Sequence, residues 1–305
     1  MCHELATACS YRLGIEEMDL RVAQTSLVHD LFVRTADENY ITARWCAVNN
    51  LNTDFFWLAV HSLEKYFKAV ILLNGGSSKK FRHDIVKLYA AVKTIAEQLL
   101  PKRLQQPPKL DIPYWIERSA EDFVSHLLRH GNADNRYLIY GYSMRSQDLH
   151  MLDQMVFSVR RLICPLDEHF IQSDDPNAPT FTNRELLTRD SEYYCPLALP
   201  LDDLIRAKDN TPTRTAALNL NMAFAPSDFP HTPVSGRSTS RETVILRRIL
   251  DPLESDDQLE ANEGLKIAQW FLDKVQLPRE DPGDPGIKKQ IKDAMDMARD
   301  KHGTH

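Results

Sequence analysis

The segment RSQDLH, residues 145–150, sets an arginine and a histidine with four residues between them, just ahead of an apolar-periodic run. A guanidinium grips a phosphate through forked N–H donors. An imidazole moves protons near neutral pH. Together they suit transesterification of a phosphodiester. His150 takes the proton of a ribose 2′-OH, and Arg145 offsets the charge that develops on the phosphate. The pair must converge to do this, and on one regular helix five positions turn the side chains about 140° apart. Ser146 is a good N-cap and Asp148 a favourable first-turn acid, so a helix is predicted to begin at Ser146. Arg145 then precedes the helix, and His150 falls in its first turn and a half. Both lie near a helix N-terminus, which favours an anion and keeps an imidazole neutral. A second reading stays open. Arg145 contacts only Asp148 or Asp153, and His150 is a half-buried helix residue.

Other residues could join such a site. His126, Arg129 and His130 share one helix face at three and four spacing. Arg129 and His130 are candidates for a second phosphate contact, or for the cations that collect at a helix C-terminus before Gly131. Arg136 and Tyr137 stand in a loop with Tyr140 and Tyr142. Aromatic faces among cations suit stacking of unpaired RNA bases; the alternative is a loop packed by its own rings. Glu64, Lys65 and Lys68 line a groove or form a solvated face. His83–Asp84 reads as a helix start, and Arg160–Arg161 as complements to a helix end. No cluster has convincing metal-ligand spacing, so neither a metal nor another cofactor is expected.

Bulk properties narrow the partners. The chain has 305 residues, 43% apolar and 26% charged, with a formal net charge of −6. No apolar run approaches the roughly 20 residues that span a bilayer, and the N-terminus carries no secretory pattern. The five cysteines are scattered and never spaced as CxxC, which points to a reducing cytoplasm. Residues 1–170 carry 20 Lys/Arg and 20 Asp/Glu, leaving 17 and 23 for the remainder. Neither part has the positive excess of a non-specific nucleic-acid binder. If RNA is bound, a local site binds it.

The elements that must position these residues are mostly helical. An extension, 1–29, precedes helices over ADENYITARWCAVNN, TDFFWLAVHSLEKYFKAVILLNGG and HDIVKLYAAVKTIAEQLL, with Asp37 as a cap of the first. A proline-marked linker leads to YWIERSAEDFVSHLLRHG and then SQDLHMLDQMVFSVRRLI. These predict a self-contained helical bundle over 30–165. A proline-rich irregular connector, 166–240, follows. Within it LNLNMAF alternates apolar and polar, which predicts a short strand over 215–224. Helices over 241–305 complete the chain. The expected class is all-α, with a mixed, mostly helical C-terminal region and one short β element.

The first half resembles the HEPN family (higher eukaryotes and prokaryotes nucleotide-binding). The residues that carry the likeness are Asp37 and Tyr40 on the first helix and the EKYFKA stretch, Glu64 to Ala69, with Leu72 and Gly75 beyond it. His83, Asp84 and Ile85 follow at the next helix. The resemblance implies an antiparallel helical bundle over about 30–165. It implies a metal-independent endoribonuclease of the toxin or anti-phage defence type, whose motif is an Arg, four to six residues, then a His at the start of the last bundle helix. Arg145, Ser146 and His150 match that motif. In such nucleases the second histidine comes across a two-fold interface, which implies a homodimer, and an antitoxin or effector protein is the expected partner. One subfamily has a tyrosine two residues after the histidine, modified by a partner nucleotidyltransferase; here that position is Leu152. Other members have lost the motif and act as scaffolds or nucleotide-binding modules.

Overall fold

The computed structural model describes residues 15–135, 141–170, 180–233, 240–241, 244–275 and 286–303. The fold is all-α with short two-stranded β elements. The chain divides into two compact units. The first holds residues 1–131 and 145–238, and the second 132–144 and 239–305. The division does not follow the proline boundary near residue 166, because most of the predicted connector folds with the helices before it.

In the first unit α1 (Ile15–Val28) runs through a π turn, His29–Val33, into α2 (Arg34–Val48). The helix therefore starts well before the expected cap. Asp37 lies inside it with no exposed surface. The central helix is α3 (Asn52–Leu73), whose Phe55, Phe56, Leu63, Tyr66, Phe67 and Val70 are fully buried. Each such apolar side chain contributes about 1.5–3 kcal/mol relative to exposure. Against α3 pack α2, α4 (Ile85–Ala96), α5 (Ala120–Gly131) and α6 (Ser146–Arg160). Asp84 caps α4 as its position predicts, accepting from the Lys87 N–H at 3.0 Å. At Gly131 the α5 backbone meets α3 so closely that a Cβ would lie 2.2 Å from the Phe56 carbonyl oxygen. The glycine is therefore a packing requirement as well as a helix end.

A two-stranded ladder pairs β1 (Arg103–Leu104) with β2 (Arg118–Ser119), registering Arg103 with Ser119 and Leu104 with Arg118. It closes the base of a loop over 105–117. Further on, β4 (His169–Phe170) pairs β5 (Phe181–Thr182), and three short helices follow: α7 (Asn183–Arg189), α8 (Pro200–Arg206) and α9 (Pro212–Leu218). The strand expected over 215–224 is not formed; those residues complete α9 and continue in turns. Pro212 at the first turn and the Thr211 cap start the helix. The asparagines of the alternating run are buried, not solvated. Asn219 exchanges two hydrogen bonds with Thr232, and Asn221 donates to Tyr40 Oη at 3.0 Å and to the Ala217 carbonyl at 2.8 Å.

In the second unit β3 (Tyr142–Ser143) pairs β6 (Ser240–Arg241). Helices α10 (Val244–Glu254), α11 (Gln258–Lys274) and α12 (Ile287–His302) enclose a small core of Ile249, Leu253, Ala268, Phe271, Ile287, Ile291, Met295 and Ala298. The end of α12 is ordered by Gly303 in the left-handed region (φ 65°), while the Lys301 amino group donates to the carbonyls of Glu254 and Ser255. Among the described residues no helix is long and apolar enough to cross a membrane.

Candidate functional site

Arg145 sits outside α6, as its predicted role requires. It occupies the N-cap position in extended backbone, φ −117° and ψ 155°. The cap itself differs from expectation. Ser146 is the first helical residue and is exposed, and Asp148 does the capping: its Oδ2 accepts from the Arg145 N–H at 2.8 Å. A carboxylate at the third helical position satisfies a free donor and complements the helix dipole together. The Arg145 guanidinium has no hydrogen bond or ion pair among the described residues. It forms no ion pair with Asp148 or Asp153.

His150 lies inside α6 and is only 8% exposed. Its Nδ1 is enclosed without a hydrogen-bond partner, 3.9 Å from Asp153 Oδ2. Burial holds its imidazole below the ordinary histidine range; the Arg44 charge adds to this and Asp153 opposes it. The ring is therefore neutral near pH 7 and has the protonation state of a base. No hydrogen bond joins Arg145 to His150.

Asp153 anchors a buried network behind His150. Tyr40 donates to its Oδ1 at 2.6 Å, and Arg44 pairs with its Oδ2. Arg44 also donates to the carbonyls of Ala216, at 3.1 Å, and Asn219, at 2.5 Å. A second network lies further along α6. Arg160 binds Asp37 through two bonds of 3.0 and 2.9 Å and Asp202 through two of 2.9 and 2.8 Å. Tyr66 donates to Asp37 and Tyr194 to Asp202. Burial acts to lower the Arg160 guanidinium, but Asp37, Tyr66 and Asp202 overcome it and leave it raised. Arg160 is thus a fully buried cross-link between α2, α6 and α8 rather than a complement to a helix end. Arg161 does not serve the end of its own helix either: it donates to the carbonyls of Leu187 and Asp190 at the close of α7.

The remaining candidates are dispersed. Arg129 is exposed at the end of α5. His130 is partly buried, its ring 5.1 Å from Phe56 and 4.6 Å from His126. His126 points its Nε2 at Asp148 Oδ2, 3.5 Å away, and Arg118 approaches Asp148 Oδ1 at 3.7 Å. Nothing in the spacing of these residues announced that Asp148 would face a histidine and an arginine from another helix and strand. Arg136 and Tyr137 lie outside the described residues.

Glu64 is buried at 4% exposure rather than on a solvated face. Lys68 donates to it at 2.6 Å, and His83 reaches it at 3.0 Å. Burial alone would raise its carboxyl; hydrogen bonds from His61 and Lys68 outweigh that and bring it down to about 2. Lys65 donates instead to the Thr35 carbonyl. Glu64 and Lys68 thus form a pair within α3, and Lys65 ties α3 to α2.

No family model matches the chain, and no curated protein or solved structure matches it either.

Proposed function

We propose that the protein is a HEPN-like, metal-independent endoribonuclease of the toxin or anti-phage defence type, acting as a homodimer. One observation carries the reading: an arginine whose guanidinium has no hydrogen bond or ion pair among the described residues sits just outside a helix whose first turn and a half holds a neutral histidine. The motif-bearing likeness of Glu64–Ala69 and of Arg145–His150 supports it. His150 takes the 2′-OH proton, and Arg145 steadies the phosphate as charge develops. Proton donation to the leaving 5′-oxygen falls to His150 of a second copy. The products are a 2′,3′-cyclic phosphate and a 5′-hydroxyl. An antitoxin or effector protein is the natural partner of such an activity, in the cytoplasm.

The test is incubation of the full chain with RNA in the presence of EDTA, wild type beside Arg145→Ala and His150→Ala. Cleavage by wild type alone, with cyclic-phosphate ends, supports the reading. Equal cleavage by all three proteins, or none by the wild type, removes it.

A second reading has its own observation. His150 is buried and lacks a bond to Arg145. That burial favours a catalytically silent HEPN module that scaffolds a partner or binds a nucleotide. An inactive wild type that still binds a partner supports this alternative.

A further inference from the structure

The loop over 105–117 is fastened to α6 on either side of the turn that carries His150. Two glutamines of α6 hold this loop by its backbone. Gln147 Oε1 accepts from the Ile116 N–H at 2.8 Å, and its Nε2 donates to the Ile116 carbonyl at 2.7 Å. Gln154 repeats the arrangement on the other leg, accepting from the Gln105 N–H at 3.1 Å and donating to its carbonyl at 2.8 Å. Each side-chain amide imitates a strand neighbour. Seven residues apart, the two glutamines stand within about 20° of each other on the helix surface and roughly 10 Å apart along it. His150 and Met151 lie between them, one on either flank.

His231 is held below the ordinary histidine range by burial first, then by the charges of Lys109 and Arg44. Lys109 of the loop and Arg44, which pairs with Asp153, thus both act on His231. The loop keeps its own form through a Pro107–Leu110 turn, 3.0 Å, and a Gln106 side-chain bond to the Leu110 carbonyl, 2.7 Å. Its far end carries Tyr114, 94% exposed and in the left-handed region at φ 61°. Residues 105–117 therefore have an internal turn of their own and are hydrogen-bonded to α6 at Gln105 and Ile116.

We propose that this loop is a lid over His150, latched by Gln147 and Gln154, and that substrate meets His150 only when the latches release. The gating role rests on the nuclease reading; the cover itself does not. Latches of neutral hydrogen bonds suit this task, since each contributes only about 0.5–1.5 kcal/mol net. Local opening can then occur without global unfolding.

The experiment follows carbethoxylation of individual histidines by diethyl pyrocarbonate, read by peptide mass spectrometry on the full chain. Three proteins are compared: wild type, Gln147→Ala/Gln154→Ala, and Pro107→Gly/Pro108→Gly, which loosens the loop without touching α6. In wild type His150 reacts far more slowly than His83, whose side chain is 82% exposed. In both variants His150 reacts faster, by roughly tenfold or more where both glutamine latches are removed, while His126 is unchanged. A His150 rate equal to wild type in both variants overturns the lid, as does a rise shared by His126. RNA cleavage in the same samples separates the two ideas. Faster His150 labelling with no cleavage by any of the three proteins keeps the lid and removes the nuclease.

Discussion

Arg160 and Asp37 meet through two parallel hydrogen bonds, and neither side chain touches solvent. Asp202 grips the same guanidinium from the other side. A charge buried this deeply is tolerable only while it is paired. Replacing Asp37 by Ala leaves Arg160 short of one carboxylate and frees the Tyr66 hydroxyl and Leu201 N–H that Asp37 also accepts from. The expected loss is about 3–5 kcal/mol, read as a lower urea midpoint. Arg160→Met combined with Asp37→Leu and Asp202→Leu recovers part of it, because no unpaired charge then remains. A triple variant as weak as Asp37→Ala contradicts this account.

The burial of His150 has a consequence for acid stability. Its folded imidazole resists a proton that the unfolded chain accepts at the ordinary value near 6.5. His29 and His231 are lowered in the same direction, chiefly by burial. The unfolded state therefore binds more protons below about pH 6.5, and stability falls as pH drops from there. Urea unfolding at pH 7.5 and at pH 5.5 measures the slope. His150→Gln reduces the slope without abolishing it, since the other two histidines remain.

Gly131 offers a packing test. Its missing side chain is what lets α5 approach α3, and the obstacle to a methyl group is the Phe56 backbone rather than a movable side chain. Gly131→Ala destabilises by about 1–3 kcal/mol, despite the better helix propensity of alanine. Thermal unfolding that shifts upward instead shows that the helices separate without cost.

A fragment over 30–165 does not fold as an independent bundle. It keeps Arg44 and Arg160 but loses Asp202 and the carbonyls of Ala216 and Asn219. It also lacks the buried Asn221 that donates to Tyr40. A fragment over 15–238 retains every one of these partners and gives a cooperative transition. Circular dichroism melts of the two fragments decide the matter.

The helices of the first unit were legible because their apolar residues recur at three and four, and that period survives whatever the tertiary partners are. What was not legible is the polar interior. Asp37 has the composition of a cap, Arg160 that of a helix end, and Asn219 and Asn221 that of a solvated strand face. Each is buried because a partner lies on an element distant in sequence. No local pattern encodes such a partner. Arg145 was legible in position but not in capping: Asp148 stands in the place a capping acid takes, yet the serine beside Arg145 looked the better cap. Gln147 and Gln154 carried no signal at all, since an amide that binds a passing backbone looks like any surface glutamine.

The Arg44 guanidinium waits for a carbonyl 175 residues further along the chain. During synthesis the first helices leave the ribosome long before Asn219 exists. They emerge with cationic groups inside the seam between helices and nothing yet to neutralise all their donors. Arg44 can complete its hydrogen bonds only after translation has passed residue 219. The order in which the polypeptide is made and the order in which its interior closes are therefore set apart at this side chain.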